Sequence, residues 1–410
     1  MSDHSITLPK LENFDSKTTG RLSFSAGLVG LVSLIIAAIY GFNAAHDALL
    51  AKQFAYSWLF GFLFFFTICA GSLFWVILHH ATDAAWSVVV RRQMENLASL
   101  MPYLSLFFIP IVLFRTTIWE WLSIDPAHDA IFASKTWYFY PVIAGVEIPL
   151  FWIRSAFYFA YFTFFALTFR GHSAAQDLTG DIKHSLKMRT KSYRALPLFA
   201  LSITFAGIDW VMALNYKWYS TMWGVYIFAG SALSSMAVLI LVITGLKKLG
   251  YLQVVNLEHY HIMGKFLLVF SIFWAYIGFS QYMLIWYANI PEETEYFLIR
   301  NTESWNSLNV LLVVGHFFIP FLMLLFRFVK KIPNLLSVIS IWILCMHFLD
   351  LYIIVLPNIH PSGFQPHVLD LICPIAIGSF LIVAFLFELG RRSLFPARDP
   401  RLVECLKLTN

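Results

Sequence analysis

The chain has 410 residues, 59% of them hydrophobic and only 12% charged, with a net charge of +5. Soluble chains are about half apolar and a quarter charged, so this composition excludes an ordinary soluble enzyme and makes the excess of base a matter of membrane topology, not of nucleic-acid binding. Cys69, Cys345, Cys373 and Cys405 are scattered without a CxxC pair, which argues against a disulfide framework and against an iron–sulfur cluster held by this chain alone.

In chain order, residues 1–21 form a polar tail that does not resemble a signal-peptide n-region. A spanning helix needs about 20 apolar residues to cross about 30 Å of hydrocarbon. That length predicts helices at 22–42, 56–78, 100–118, 142–169, 196–215, 219–244, 264–288, 307–328, 335–356 and 368–389. The first reads as an uncleaved signal anchor, and 22–55 holds it together with an outer loop. A weak internal repeat follows. Tyr56-Ser57-x-x-x-Gly61 with Ala70-Gly71-Ser72 is matched by Tyr219-Ser220-x-x-x-Gly224 with Ala229-Gly230-Ser231. It predicts two parallel four-helix bundles, helices 2–5 (56–215) and helices 6–9 (216–356), flanked by helices 1 and 10. The last helix falls in 357–390 and the tail is 391–410. Within the first bundle, 170–195 is expected to be a long basic loop.

Basic residues set the orientation. Of the 28 Lys and Arg, 22 fall in alternate gaps: Lys10, Lys17 and Arg21; Arg91 and Arg92; Arg170, Lys183, Lys187, Arg189, Lys191 and Arg194; Lys247, Lys248 and Lys265; Arg327, Lys330 and Lys331; Arg391, Arg392, Arg398, Arg401 and Lys407. Short basic loops stay in the cytoplasm. The expectation is therefore an all-α polytopic membrane protein with ten transmembrane helices and both termini cytoplasmic.

Charges at membrane depth cost several kcal/mol and must pair, neutralise or face water. The candidates are Glu147 and Arg154 in helix 4, Asp209 in helix 5, His316 in helix 8, His347 and Asp350 in helix 9, and Asp370 at the start of helix 10. Glu147 and Arg154 are two turns apart on one predicted face, with Pro149 between them to supply a bend. The natural partner of Arg154 is an acid from another helix, Asp209 or Asp350. His347 and Asp350, three apart, share a helix face and make a proton-exchanging pair. His79, His80 and Asp83 mark an inner mouth at the rim. His316, in Gly315-His316-Phe317-Phe318-Ile319-Pro320, is expected to bond the backbone that the proline frees. Haem ligation by His79, His80, His316 and His347 is disfavoured by their different depths. Aromatic runs such as Phe60 to Phe66 pack helices more often than they bind quinone.

Several stretches resemble a known family. Asp209-Trp210-Val211-Met212 with Lys217-Trp218-Tyr219-Ser220-Thr221-Met222-Trp223-Gly224-Val225-Tyr226, the segment from Phe273 to Thr294, and Pro149 to Arg154 with Tyr158-Phe159 are similar to the NrfD-like membrane subunits of bacterial alternative complex III. His79-His80 and Trp86 to Arg92 resemble the ActF type more than the ActC type. The resemblance covers most of residues 20–390. It implies a non-redox subunit of a quinol:cytochrome c oxidoreductase in the bacterial inner membrane, with no catalytic residue or metal of its own and quinone or quinol as the ligand in question. Haem c and iron–sulfur clusters would sit on partners: an NrfD-like paralogue, an iron–sulfur subunit and multi-haem cytochrome c subunits. A stand-alone secondary transporter, or a quinol-binding membrane subunit of another oxidoreductase of the NrfD/polysulfide-reductase type, is the alternative.

Overall fold

A computed structural model describes residues 10–143 and 145–409. Among them, ten helices are long and apolar enough to cross a membrane: α1 (Ser16–Asn43), α2 (Ala48–Ala81), α3 (Val88–Leu113), α4 (Leu150–Thr179), α5 (Lys183–Leu214), α6 (Trp223–Lys248), α7 (Leu257–Ala288), α8 (Ser304–Leu325), α9 (Pro333–Asn358) and α10 (Leu369–Gly390). The chain is a multi-pass membrane protein. An even number of spans returns both tails to one face, where Asn13 pairs with Ser393 in an isolated bridge and the Leu394 amide donates to Glu12. We call this the tail face and the opposite one the far face.

Several boundaries differ from the sequence reading. No long loop covers 170–195: α4 runs to Thr179, Gly180 caps it in the left-handed conformation, and α5 starts at Lys183. The charged residues there form helix extensions beyond the apolar core, because Lys, Arg and Gln favour helix as strongly as Leu does. For the same reason α3 begins at Val88, twelve residues before its apolar run. It is then broken into Val88–Ala98, Met101–Leu106 and Ile109–Leu113 by Pro102 and Pro110, each in the first turn of its segment. α4 begins only at Leu150, since Pro149 cannot continue a helix N-terminally. Glu147 therefore lies in a two-stranded hairpin, Val142–Ile143 with Val146–Glu147, where it is exposed. The helix face that the sequence predicts it to share with Arg154 does not form.

The centre is built by α2 and α6, the helices that carry the repeated motif. α2 packs against α6, α10, α3 and α5; α6 also packs against α7, α9 and α5; α1 lies along α10. The motif glycine explains the closeness of α2 and α6. A Cβ on Gly71 would collide with the Ser231 carbonyl and come within 2.5 Å of the Ser235 hydroxyl, and the Trp75 indole donates to the Ala232 carbonyl at 3.1 Å. Small residues of this kind let membrane helices approach when no hydrophobic drive separates protein from lipid. Gly71→Ala is thus expected to cost about 1–3 kcal/mol through overpacking, read as a lower melting temperature of the detergent-purified chain. An unchanged melt would show that the contact relaxes freely.

Candidate functional site

Three buried carboxylates lie in the far-face half, and their surroundings separate them. Asp209 is the penultimate residue of the helix Lys183–Trp210 and is fully buried. Arg154 reaches it from α4 in a bidentate pair, Nε to Oδ2 at 2.9 Å and Nη2 to Oδ1 at 2.8 Å. Tyr158 donates to Oδ2 at 2.6 Å and Tyr138 to Oδ1 at 2.9 Å. The third nitrogen of Arg154 donates to the Tyr138 carbonyl at 2.7 Å, with the guanidinium 4.0 Å above the Tyr138 ring. Four donors occupy this carboxylate. Such an arrangement fixes the register of α4 and α5 and leaves no acceptor lobe open for a travelling proton.

Asp370, at the start of α10, is held in the same way. It accepts from Ser57 (2.6 Å), Gln53 (2.8 Å), Tyr352 (2.9 Å) and the His367 amide (2.9 Å). His360 joins through Gln53 at 2.7 Å.

Asp350 differs. It is 3% exposed and receives two side-chain donors, Tyr226 at 2.5 Å and the Trp274 indole at 3.1 Å. The Trp274 ring lies 4.2 Å from that of His316, and the His316 ring 6.4 Å from that of His347. His347 Nε2 bonds Thr67 of α2 at 2.9 Å. His347 Nδ1 and both ring nitrogens of His316 are buried and make no well-aligned hydrogen bond, the Met346 backbone lying beside His316. Unpaired polar atoms this deep cost about 1–3 kcal/mol each, so the cluster is a place where water or a ligand belongs.

The reason lies in the backbone. Residues Val313–Phe318 form a π-helix immediately before Pro320, a local widening frequent at functional sites. The carbonyl released there, that of Gly315, is taken by the Trp342 indole at 2.7 Å. His316 therefore does not bond the freed Gly315 carbonyl, and its ring is buried in the bundle beside the Met346 backbone. Gly230 of the repeated motif makes room for His347: a Cβ there would stand 2.9 Å from His347 Cε1.

The tail face is held by ion pairs. Arg91 and Arg92, placed by the sequence in a gap between apolar stretches, are helical and fully buried. Arg91 Nε meets Glu95 at 3.0 Å and its Nη1 meets Asp399 at 2.8 Å. Arg92 meets Asp177 at 2.7 Å, and its Nε is 3.1 Å from Glu95 though out of line for a hydrogen bond. Arg170 pairs with Glu388 at 2.5 Å, and Tyr103 donates to the same carboxylate at 2.7 Å. His79 Nε2 lies 2.7 Å from Arg91 Nη1 and its Nδ1 contacts Ser87. Because a guanidinium only donates, that Nε2 is an acceptor and His79 is engaged as a neutral ring. His80 stacks on Phe169 at 5.5 Å. Asp83 is half exposed and paired with Arg189 (3.4 Å) and Arg401 (3.1 Å).

The sequence reading missed Tyr226, Trp274 and Thr67, whose partners come from other helices. It also missed Glu95 and Arg300. The i, i+4 spacing of Arg91 and Glu95 was a usable signal. For Arg300 there was none: it is 5% exposed and donates to the carbonyls of Ile353 (3.0 Å), Ile354 (2.6 Å) and Tyr296 (2.9 Å), closing the far end of α9. Burial holds its guanidinium below the usual arginine range.

A cavity of about 250 Å³ opens at the far face beside the Asp209 cluster, lined by Lys135, Trp137, Tyr138, Tyr216, Trp218 and Tyr219 among others. Lys135 Nζ donates to the Tyr216 carbonyl at 2.5 Å, and burial holds its ammonium below the ordinary lysine range. No group of three or more His, Cys, Asp or Glu among the described residues is arranged to hold a metal ion. Set against known proteins, the chain matches no family model and no curated protein.

Proposed function

We propose that this chain is a proton-conducting membrane subunit of a quinol:cytochrome c oxidoreductase, with both tails in the cytoplasm of a bacterium and α2–α5 and α6–α9 as parallel repeats. The observation that carries the proton role is the buried, incompletely bonded line Tyr226–Asp350–Trp274–His316–His347–Thr67. Asp350 lies eight residues, or about 12 Å, inside the far end of α9, and His316 twelve residues, or about 18 Å, inside α8. Together they occupy depths of about 12–18 Å from the far-face helix ends, close to mid-membrane. Asp350 and the two histidines can each take and release a proton. Asp209 and Asp370 are structural in this reading, and Glu147 stands outside the relay. Electron carriers, haem c and iron–sulfur clusters, belong to partner subunits; the family resemblance of the segments at Asp209–Tyr226 and Phe273–Thr294 supports that part.

Two measurements test it. Purification in mild detergent is expected to bring down multi-haem and iron–sulfur chains. In that complex Asp350→Asn should lower proton-coupled turnover about 100-fold, the scale of a lost acid–base group, with the subunits still bound. Unchanged turnover and proton release in Asp350→Asn would remove the relay. Solute uptake by the isolated chain in vesicles would replace the whole reading with a secondary transporter.

The far-face cavity favours a second, compatible role, contact with a quinol ring. Its walls are aromatic and Lys135 offers a half-buried ammonium. Lys135→Ala should then raise KM for quinol and leave kcat nearly unchanged; equal KM values would exclude the cavity.

A further inference from the structure

We propose that the tail-face ends of α4 and α5 bind the phosphodiester headgroup of an anionic membrane phospholipid. Lys183, Lys187, Lys191 and Arg194 of α5 recur at i, i+4, i+8 and i+11, one stripe of a 3.6-residue helix. His172 of α4 and His184 of α5 lie against that stripe. Lys191 Nζ is 3.0 Å from His172 Nε2, and His172 Nδ1 is 3.4 Å from His184 Nδ1. An ammonium only donates, so His172 accepts at Nε2, donates from Nδ1 to His184, and leaves the Nε2–H of His184 as the open end. The remaining hydrogens of Lys191 and that N–H meet no acceptor among the described residues. Both histidines and Lys191 are half-buried, while Lys187 and Arg194 are exposed.

The acids of this hairpin reach only one base of the stripe, Lys183. Asp181 pairs with Lys183 at 3.7 Å and Asp177 with Arg92 at 2.7 Å. Lys187 and Lys191 make no ion pair with a described carboxylate. Past Lys183, at Lys187, Lys191 and Arg194, donors and positive charge thus converge with no described carboxylate paired to them.

The surface beneath decides what kind of anion fits. Leu198 and Leu201, seven and ten residues past Lys191 on the same face, are 40% and 55% exposed, and Phe164, eight residues deeper than His172 on α4, is 59% exposed. At 1.5 Å per residue these lie roughly 10–15 Å below the cationic rim. A cationic rim above an apolar wall is the outline of a phospholipid, and basic sites between membrane helices are known to hold headgroups. An acidic soluble partner would match the charge and leave the wall bare. The inference stands on the membrane-spanning fold and not on the proton relay.

The test uses the full chain in mild detergent, with phosphatidylglycerol or phosphatidylethanolamine added and retained lipid read by native mass spectrometry. Phosphatidylglycerol is expected to stay bound, phosphatidylethanolamine to wash away, and inorganic phosphate not to compete. Lys187→Gln with Lys191→Gln should weaken phosphatidylglycerol binding about 30-fold, two surface lysines' worth, with the melting temperature unchanged. Lys248→Gln, an exposed base at the tail-face end of α6, should leave binding intact. Equal retention of both lipids, undiminished binding in the double variant, or an equal loss in Lys248→Gln would overturn the site. Displacement by inorganic phosphate would replace the lipid with a free anion, and loss of a co-purifying subunit with lipid unchanged would replace it with a protein partner.

Discussion

Asp209→Asn is expected to lower the stability of the chain by about 3–5 kcal/mol, the range for removing one partner of a buried ion pair. The size follows from what remains. Asn keeps the shape of Asp but presents an amide NH2 to a site where Arg154, Tyr138 and Tyr158 supply four donors. At least one donor would then face another donor, and the Arg154 charge, with its side chain only 16% exposed, would lose its counter-ion. The measurement is thermal or denaturant unfolding in detergent micelles. A second variant separates pairing from packing: Arg154→Met with Asp209→Leu removes both charges and should recover most of the loss, because desolvating an ion pair offsets much of its attraction. If Asp209→Asn melted like the parent and instead abolished proton release, the structural assignment would be wrong and Asp209 would rejoin the relay.

What the sequence disclosed follows from which signals are local. Ten apolar runs are local, and all ten spans were legible because hydrocarbon thickness sets one length scale for each. Helix ends were legible only where an apolar run and a helix end together. At Lys183–Arg194 and at Val88–Leu100 the helix continues through charged residues, so the hydropathy boundary misplaced it by a dozen residues. Glu147 was misassigned for the opposite reason, an apolar run that continues past Pro149 into a hairpin. Buried acids could be found from depth, but their partners could not. Arg154 had two candidate acids at similar depth, and only the packing of α4 on α5 selects Asp209. The distinction that matters most, four donors on Asp209 against two on Asp350, comes from residues as distant as Tyr138 and Trp274 and has no sequence period.

The tail face shows the same logic with a larger number of charges, and its weakest point is Glu95. This carboxylate is 1% exposed and lies between two guanidinium groups that are themselves fully buried. Asp399 and Asp177 each neutralise one arginine from the outside, but Glu95 alone stands between the pair. Glu95→Gln is therefore expected to cost about 3–5 kcal/mol, and the strain has an identifiable exit. Arg91 holds Asp399, Arg92 donates to the Ser393 carbonyl, and Gln93 donates to the Leu394 carbonyl at 2.7 Å. The C-terminal tail is thus seated on Gln93 and on the two arginines that Glu95 keeps in place. Mutual repulsion of Arg91 and Arg92 should loosen that seat before the spans separate. Trypsin offers the readout, since Arg398 and Arg401 lie in the seated tail and cleavage requires it to lift. Cleavage at these sites should accelerate in Glu95→Gln at temperatures where the melting of the spans has not begun. Arg92→Gln with Glu95→Gln removes the repulsion and should slow cleavage again. Equal cleavage rates in all three proteins would mean that the tail is held by its apolar contacts, Leu394, Phe395 and Leu402, and that the ion pairs serve only the helices.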